Sequence, residues 1–547
     1  MVKRRPTQNS ELRATSVNMS VHRYADIAGL QAAGAQHWGV RHIQPFFPSI
    51  EKLFKTDETA VPIEHGVHFE TELAGIVSAD SVRTADGRVL PVHRKVAMIL
   101  SPVKLMRGNY GSVLGLPATL EQATALHQKM QNPNNAAFVG SIISAAVSES
   151  GCQHFPRVYG VFSGIAAEHR VDISDEYEDL HERQWFSANI GKTFAVDVSE
   201  SVQASPEFGF TRKARTHLAL GGDAHLDGVV EMETDPVECA PAEMVSVFNE
   251  GAGASDDGES DSSSVSTSYV FGVRSCDCSM DGSDTDDISD ASPEPFAWAT
   301  FRDVPVQITV MEPCDGTIYA LMMAHPETEK HHAWIAQVVF ALAFAQRNFA
   351  FVHNDLHGNN VMYVKTDREF LYYSVGGDYF RVPTHGYLIK LIDFERSNAS
   401  IKVAGMKAHK TFMSDHYAVD EEAGGQYNCE PYYVAKYDTV KPNPSFDLAR
   451  LATSLFWDLF PEGAMGDSYK DNALFHMFLR WMGTGDGHSV LFGKEDEAHD
   501  RFHGFHLHKA IAKFCKDAVP RKEVAHLKGA FGVPSVPLGE RVCSIDA

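Results

Sequence analysis

Short stretches in which hydrophobic and polar residues alternate run through the first part of the chain, a pattern typical of β-strands. Residues 67–100 hold several such stretches, with Ala85-Asp86-Gly87 as a turn between two of them. Residues 135–150 carry hydrophobic side chains at helical spacing, and residues 155–162 and 304–311 again favour strands. The pattern predicts a β-rich unit that contains one helix.

Longer hydrophobic stretches dominate the second part of the chain. Residues 333–345 are apolar on all sides except at Gln337, which predicts a helix buried in a large core and too short to span a bilayer. Residues 318–323 follow a turn and predict a further helix, and a buried helix begins at residue 446. Residues 387–392 predict a buried strand. Together the two parts predict an α+β protein whose second unit is mainly helical.

A long acidic segment interrupts this pattern. Residues 250–295 consist mainly of Ser, Asp, Gly and Glu, which bury too little apolar area to offset chain entropy. We therefore predict that about 206–295 is a largely disordered, acidic insert. Two interpretations stay open: a solvated loop between strands of one domain, or a regulatory tract that is phosphorylated at serine.

Composition limits the kinds of protein that fit. The 547 residues predict two or three folding units, and the net charge of -24 argues against nucleic-acid binding by bulk electrostatics. The eight cysteines have no metal-finger spacing and are expected to be reduced thiols of a cytosol-like compartment. The polar first twenty residues predict no signal peptide, and no stretch predicts a membrane span.

The candidate chemistry lies in two short motifs. Residues 353–360 read H-N-D-L-H-G-N-N, which has the H-x-D-x-x-x-x-N spacing of a phosphotransferase loop, and Asp393-Phe394-Glu395 follows the predicted strand. Asp355 would orient an acceptor hydroxyl and take its proton, while Asn360 and Asp393 would hold divalent metal with hard oxygen ligands. The alternative is that these side chains only cap turns.

Four further residues have supporting roles in this hypothesis. Backbone groups near Glu312 and Cys314, between the two predicted units, would bond the adenine edge of a nucleotide. His353 would pack against the loop and fix it. Asp447 would tie its helix to the loop backbone, or it is an ordinary acid at a helix N-terminus; the sequence leaves these two alternatives open.

With these motifs the chain resembles the serine/threonine protein kinases encoded by large DNA viruses, over roughly residues 90–535. The similar pieces occur in a specific order: Ser101-Pro102, residues 154–162, Met311-Glu312, Asp315-Gly316-Thr317, residues 353–360, residues 382–387, residues 425–428 and Pro444-Ser445-Phe446-Asp447. The resemblance implies ATP, Mg²⁺, a protein substrate and a bilobal fold, in the host cytoplasm or a virion. Neither nucleic acid nor membrane is expected as a partner, and the oligomeric state stays open.

The resemblance divides the chain into four parts. Residues 1–60 are a poorly defined extension, and residues 61–310 form the β-rich N-lobe with its insert. Residues 311–535 form the mainly helical C-lobe, and residues 536–547 are a tail.

The chain departs from the kinase pattern at several positions, and no G-x-G-x-x-G motif is found. His357 stands where many serine/threonine kinases have lysine, as a support of the loop, and Glu395 replaces the glycine of D-F-G. The V-A-x-K pattern puts Ile99 in the position of the nucleotide-binding lysine. Lys95 or Lys104 would have to replace it, and no helix glutamate can be named as its partner.

Two other functions compete with a protein kinase. The motifs also resemble choline kinase, in which a glutamate follows the metal-binding D-F pair, so a small-molecule kinase of the choline or aminoglycoside type is one alternative. The other is a catalytically weak pseudokinase that acts as a scaffold. The missing lysine favours the scaffold, whereas the presence of Asp355, Asn360 and Asp393 opposes it.

Overall fold

A computed structural model describes most of the chain outside the acidic insert. The described residues are 16–17, 19–24, 26–45, 65–111, 116, 126, 130, 132–174, 177–199, 296–403, 409–418, 421, 423–427, 433–434, 439–463, 467–492, 500–502 and 504–546. They form a mixed α+β protein with mostly antiparallel sheets, which confirms the predicted α+β class. The predicted disorder of residues 206–295 lies outside the described residues.

Two long strands form the centre of the first sheet. β9 (Val158–Asp172) and β11 (Ala297–Met311) are antiparallel along their length. Three shorter strands flank them: β3 (Val40–Gln44), β8 (His93–Met98) and β10 (Ala195–Val198). β10 and β11 pair as neighbours, with Val198 opposite Ala297 on either side of the insert. Their inward side chains, including Phe162 and Phe301, form one hydrophobic core.

The remaining strands of the first part are short. They are β1 (Ser16–Val17), β2 (Ser20–Arg23), β4 (His65–His68), β5 (Leu73–Ile76), β6 (Ser81–Thr84) and β7 (Val89–Pro91). β5, β6 and β7 form an antiparallel meander, whose last turn includes the predicted turn at Gly87. Residues 16–45, which the sequence assigned to an extension, thus contribute strands, and β3 lies at the edge of the first sheet.

Five helices of the described chain belong to this first part: α1 (Ile27–His37), α2 (Pro102–Met106), α3 (Ala136–Glu149), α4 (Tyr177–His181) and α5 (Gln184–Asn189). α3 agrees with the helix predicted over 135–150. Asn135 caps it by accepting a hydrogen bond from the Ala137 N–H. Nearly every side chain of α3 is buried, because the helix packs between the first sheet and the second part of the chain.

The second part is arranged around one long helix. α6 (Ile318–Ala324) is capped by Thr317, as the turn before the predicted helix indicated. α7 (Thr328–Phe349) extends the predicted 333–345 helix at both ends and is buried along most of its length. Four further helices follow: α8 (Phe446–Leu459), α9 (Ala473–Trp481), α10 (Gly504–Phe514) and α11 (Pro520–Phe531). α9 and α11 pack against α7, and α8 packs against α9 and α10. Together they enclose a second, larger hydrophobic core.

Small sheets complete this part. Their strands are β12 (Gly316–Thr317), β13 (Val361–Lys365), β14 (Phe370–Val375), β15 (Asp378–Pro383), β16 (Tyr387–Leu391), β17 (Asn398–Val403), β18 (Lys410–Met413), β19 (Tyr433–Val434), β20 (Thr439–Val440), β21 (Gly532–Val533) and β22 (Val542–Ser544). β16 is the predicted strand of 387–392, and it pairs with β13. β22 pairs with β14, so part of the predicted tail belongs to a sheet. None of the described helices is both long and apolar enough to cross a membrane.

Candidate functional site

The loop after α7 is held by the first turn of α8. Ala350 ends α7 in the left-handed conformation, with φ 48°, and so turns the chain into the loop. The buried Asp447 carboxylate then accepts hydrogen bonds from the backbone N–H groups of His353 and Asn354, both at 2.9 Å. Burial raises the pKa of Asp447 to about 6, although His353 and the two N–H groups favour its ionised form. Asp447 is thus both an acid in the first turn of a helix and a contact of the loop backbone.

The imidazole of His353 connects the loop to the strand beside it. Its Nε2 donates a hydrogen bond of 2.8 Å to the carbonyl oxygen of Ile392, directly after β16. The ring also packs edge-on against Phe394, with 5.5 Å between ring centroids. This fully buried side chain fixes the loop against the Asp393-Phe394-Glu395 turn by packing and one hydrogen bond.

The Asp355 carboxylate lies between two basic side chains. Nη1 of Arg396 is 3.4 Å from its Oδ2, and Nε2 of His508 is 3.5 Å from its Oδ1. Burial raises the pKa of Asp355, but Arg396 and His508 outweigh that effect and hold the pKa well below its usual value. The carboxylate is therefore ionised at neutral pH, which is the state needed to accept a proton.

Asn360 lies at the C-terminal end of the loop, and its side chain binds back to the residues before it. Its Nδ2 donates a hydrogen bond of 2.9 Å to the Asp355 carbonyl oxygen and lies 3.1 Å from Nε2 of His357. Because the amide nitrogen is engaged in the loop, the side-chain oxygen is the atom left to ligate a cation. Burial lowers the pKa of His357 to about 4, so this imidazole is neutral and supplies no positive charge for a phosphate.

Asp393 follows β16 in a left-handed conformation with φ 69°, which aspartate tolerates better than most residues. Its carboxylate forms an ion pair of 2.5 Å with the Lys95 ammonium of β8. Burial raises the pKa of Asp393, but Lys95 outweighs it, so the net pKa shift is downward. β8 belongs to the first sheet, where it pairs with β11. The ion pair between Lys95 and Asp393 therefore joins the first sheet to the second part of the chain.

The structure separates the three residues considered for the lysine position. Ile99 lies just beyond β8 and is buried in a small hydrophobic cluster. Lys104 forms an ion pair with Glu421. Lys95, within the paired length of β8, is the one of these three whose contact with Asp393 is seen in the described chain.

Glu312 and Cys314 lie where β11 leaves the first sheet. The Glu312 N–H donates to the Arg157 carbonyl oxygen at 2.9 Å, and its carboxylate pairs with Lys390 of β16. Within the described chain, the Glu312 carbonyl oxygen and the Cys314 N–H have no backbone hydrogen-bond partner. Burial raises the pKa of the Cys314 thiol to about 12, so this thiol stays protonated.

The sequence interpretation missed several residues of the site. Arg396 could have been noticed because it directly follows the Asp393-Phe394-Glu395 turn. His508 carries no such signal, since it comes from the distant helix α10 and meets Asp355 only through folding. Lys390 was read as part of a buried strand, and its ion pair with Glu312 was not expected.

The donor atoms fit a magnesium ion that enters with phosphates. Mg²⁺ prefers oxygen ligands and usually takes one or two protein carboxylates, with waters and phosphate oxygens for the rest. Asp393 and the side-chain oxygen of Asn360 supply oxygen donors of this kind. Among the residues that the structure describes, no group of three or more His, Cys, Asp and Glu side chains forms a metal centre.

Comparisons with known proteins find a short local similarity to a protein kinase. No protein-family model matches the chain. A stretch of 61 residues is 38% identical to serine/threonine-protein kinase haspin of Mus musculus, and a stretch of equal length is 36% identical to haspin of Bos taurus. Each match covers 11% of this chain and only 8% of the relative. The similarity points to a protein-kinase-like protein, and it gives no support to the viral branch, which stays a prediction.

Proposed function

We propose that the protein is an ATP-dependent protein kinase that transfers the γ-phosphoryl group of Mg-ATP to a serine or threonine hydroxyl of a protein substrate. The observation that supports this most is the ion pair between Lys95 and Asp393, beside a loop that carries Asp355 and Asn360. A cation for phosphates, a carboxylate for metal and a carboxylate for the acceptor are the parts that phosphoryl transfer needs. The short similarity to haspin agrees with this class of reaction.

In the proposed mechanism Asp355 orients the acceptor hydroxyl and takes its proton. Its low pKa keeps it ionised, and Arg396 and His508 hold its carboxylate in place. Asn360 and Asp393 would hold Mg²⁺, which neutralises charge on the phosphates when bound. Lys95 would move from Asp393 to the α- and β-phosphates as these approach. The Glu312 carbonyl oxygen and Cys314 N–H would bond the adenine edge.

Two contacts of Lys95 bear on the small-molecule kinase and pseudokinase alternatives. Choline kinase has a glutamate after its D-F pair, but here the Glu395 carboxylate lies 2.7 Å from the Lys95 ammonium. A scaffold without catalysis does not need a lysine and an aspartate arranged for phosphates and metal. The contacts of Lys95 with Asp393 and Glu395 support an active kinase over the pseudokinase alternative.

Phosphate transfer from labelled Mg-ATP tests the proposal directly. Purified protein is offered generic basic proteins and, separately, choline, beside an Asp355→Asn control. We expect label on protein and a loss of roughly 100-fold or more in the control, since a positioned base contributes about that much. Label on choline alone would assign the small-molecule class. ATP binding without any transfer would support the scaffold.

A further inference from the structure

The ammonium group of Lys95 meets two carboxylates, and the second belongs to Glu395. Its distances are 2.5 Å to Asp393 Oδ1 and 2.7 Å to Glu395 Oε1. The Lys95 and Glu395 side chains are only 18% and 12% exposed, so water screens this pair little. Burial lowers the pKa of Lys95, but the two carboxylates outweigh it and raise the pKa, which keeps the side chain a cation. When phosphates draw Lys95 away from Asp393, Glu395 is the carboxylate that remains.

Helix α3, which packs against this turn, supplies no carboxylate for Lys95. Residues 136–148 contain neither Asp nor Glu, and the acid of the helix is its last residue, Glu149. Glu149 lies at the C-terminal end of α3, near Glu70 and His68, and burial raises its pKa. In protein kinases the nucleotide lysine is paired with a glutamate from such a helix. α3 therefore has no residue for that role.

Gly140 lets α3 pack closely against the Glu395 residue. A Cβ atom added at this position would lie 2.9 Å from Cγ of Glu395 and 3.3 Å from its backbone nitrogen. No side chain fits there without a shift, so the helix backbone lies directly against the Glu395 residue. A glycine inside a helix costs about 1 kcal/mol relative to alanine. At this position it leaves room for the Glu395 side chain.

We propose that Glu395 is the positioning residue that holds Lys95 for the nucleotide, in place of a glutamate from α3. This inference rests on the proposed function and specifies how its lysine is controlled. The carboxylate comes from the same turn as the metal ligand Asp393, two residues away, so both partners of Lys95 move together. A displacement of α3 would then leave the ion pair intact, whereas a helix-borne glutamate would carry it away.

Nucleotide affinity in a double-mutant cycle tests this inference. The variants are Glu395→Gln, Lys95→Met and the double variant, with Glu149→Gln as the matched control because it neutralises the acid of α3. Mg-ATP binding is measured by calorimetry for each full-length protein, followed by KM and kcat where transfer occurs. Glutamine keeps the shape of the side chain, and Glu395→Asp, which keeps the charge on a shorter stem, tests for rescue. Unfolding midpoints show that each variant is folded.

We expect Glu395→Gln to weaken Mg-ATP binding roughly tenfold or more, with partial rescue in Glu395→Asp. The double variant should bind no worse than Lys95→Met, because Glu395 acts through the lysine, and Glu149→Gln should equal the parent. Parent-like affinity in Glu395→Gln, or losses that simply add, would overturn the inference. Binding without transfer in the parent would overturn the kinase proposal alone, whereas a parent that binds no nucleotide would overturn both.

Discussion

Helices α3 and α8 both pack against the candidate site, but they support it in opposite ways. α8 places a buried carboxylate, Asp447, on the backbone of the loop that carries Asp355. α3 presents Gly140 and leaves the charged contacts to the turn at Asp393 and Glu395. The loop that carries Asp355, the proposed proton acceptor, is thus held by a helix-borne acid, whereas Lys95, the proposed nucleotide contact, is held by acids of the turn itself.

The difference follows from the chemical groups that each helix contacts. α8 meets backbone N–H groups, which are buried and need acceptors, so a charged side chain there satisfies two donors at once. α3 meets the Glu395 side chain, which already shares Lys95 with Asp393, and a third buried acid would be repelled by these two. The contact of α3 with β11 is accordingly neutral: the Ser141 and Thr309 hydroxyls lie 2.8 Å apart.

Removing the acid of α8 should have the largest effect. Asp447→Ala leaves two buried N–H groups without an acceptor, at about 1–3 kcal/mol each. We expect the free energy of unfolding to fall by about 3 kcal/mol and phosphate transfer to fall with it. Urea unfolding measures the first, and Asp467→Ala, at an exposed acid, serves as the control. Unchanged stability in Asp447→Ala would mean that the loop does not depend on α8.

The pH dependence of stability tests the contribution of the Asp447 carboxylate separately. Since burial raises the pKa of Asp447 from 3.8 to about 6, the folded protein holds its proton more tightly than the unfolded chain does. This contribution to stability is fully present below pH 3.8 and is lost as the pH rises through about 6. The stability of the parent relative to Asp447→Asn should therefore fall between those values. A difference that stays constant over this range would contradict the assigned pKa.

The smallest effect is expected on the α3 side. Ser141→Ala removes a neutral hydrogen bond and leaves the Thr309 hydroxyl to find another acceptor, which should cost about 1 kcal/mol. Mg-ATP affinity should stay at the parent value, because this contact does not involve Lys95. Urea unfolding and calorimetry measure both quantities. A large loss of affinity would show that α3 does position the nucleotide site.

The sequence predicted elements best where local pattern decides them. α3 and β16 lie within a residue of their predicted bounds, since helical spacing marks the first and a mostly apolar stretch marks the second. α7 is longer than predicted because its polar first turn and last turn interrupt the apolar pattern without ending the helix. β9 continues to Asp172, well beyond the predicted residue 162, since its pairing with β11 maintains the strand through polar residues.

The site itself was only partly visible in the sequence. Asp355, Asn360 and Asp393 were named from spacing, and the fold brings them to one region, although their chemical roles stay predictions. Lys95 was one of two candidates, because a motif fixes a residue only when the strand register is known. The contacts of Arg396 and His508 with Asp355 could not be predicted, since they join distant parts of the chain.

The antiparallel pair of β10 and β11 holds the two ends of the acidic segment close together. Ser199 donates a backbone hydrogen bond of 2.8 Å to Phe296, so residues 200–295 leave and re-enter the sheet at one point. The length of such a segment affects stability through loop closure, at only about 0.6 kcal/mol for each doubling. A change in the number of residues between Ser199 and Phe296 is therefore expected to alter the stability of the sheet only slightly.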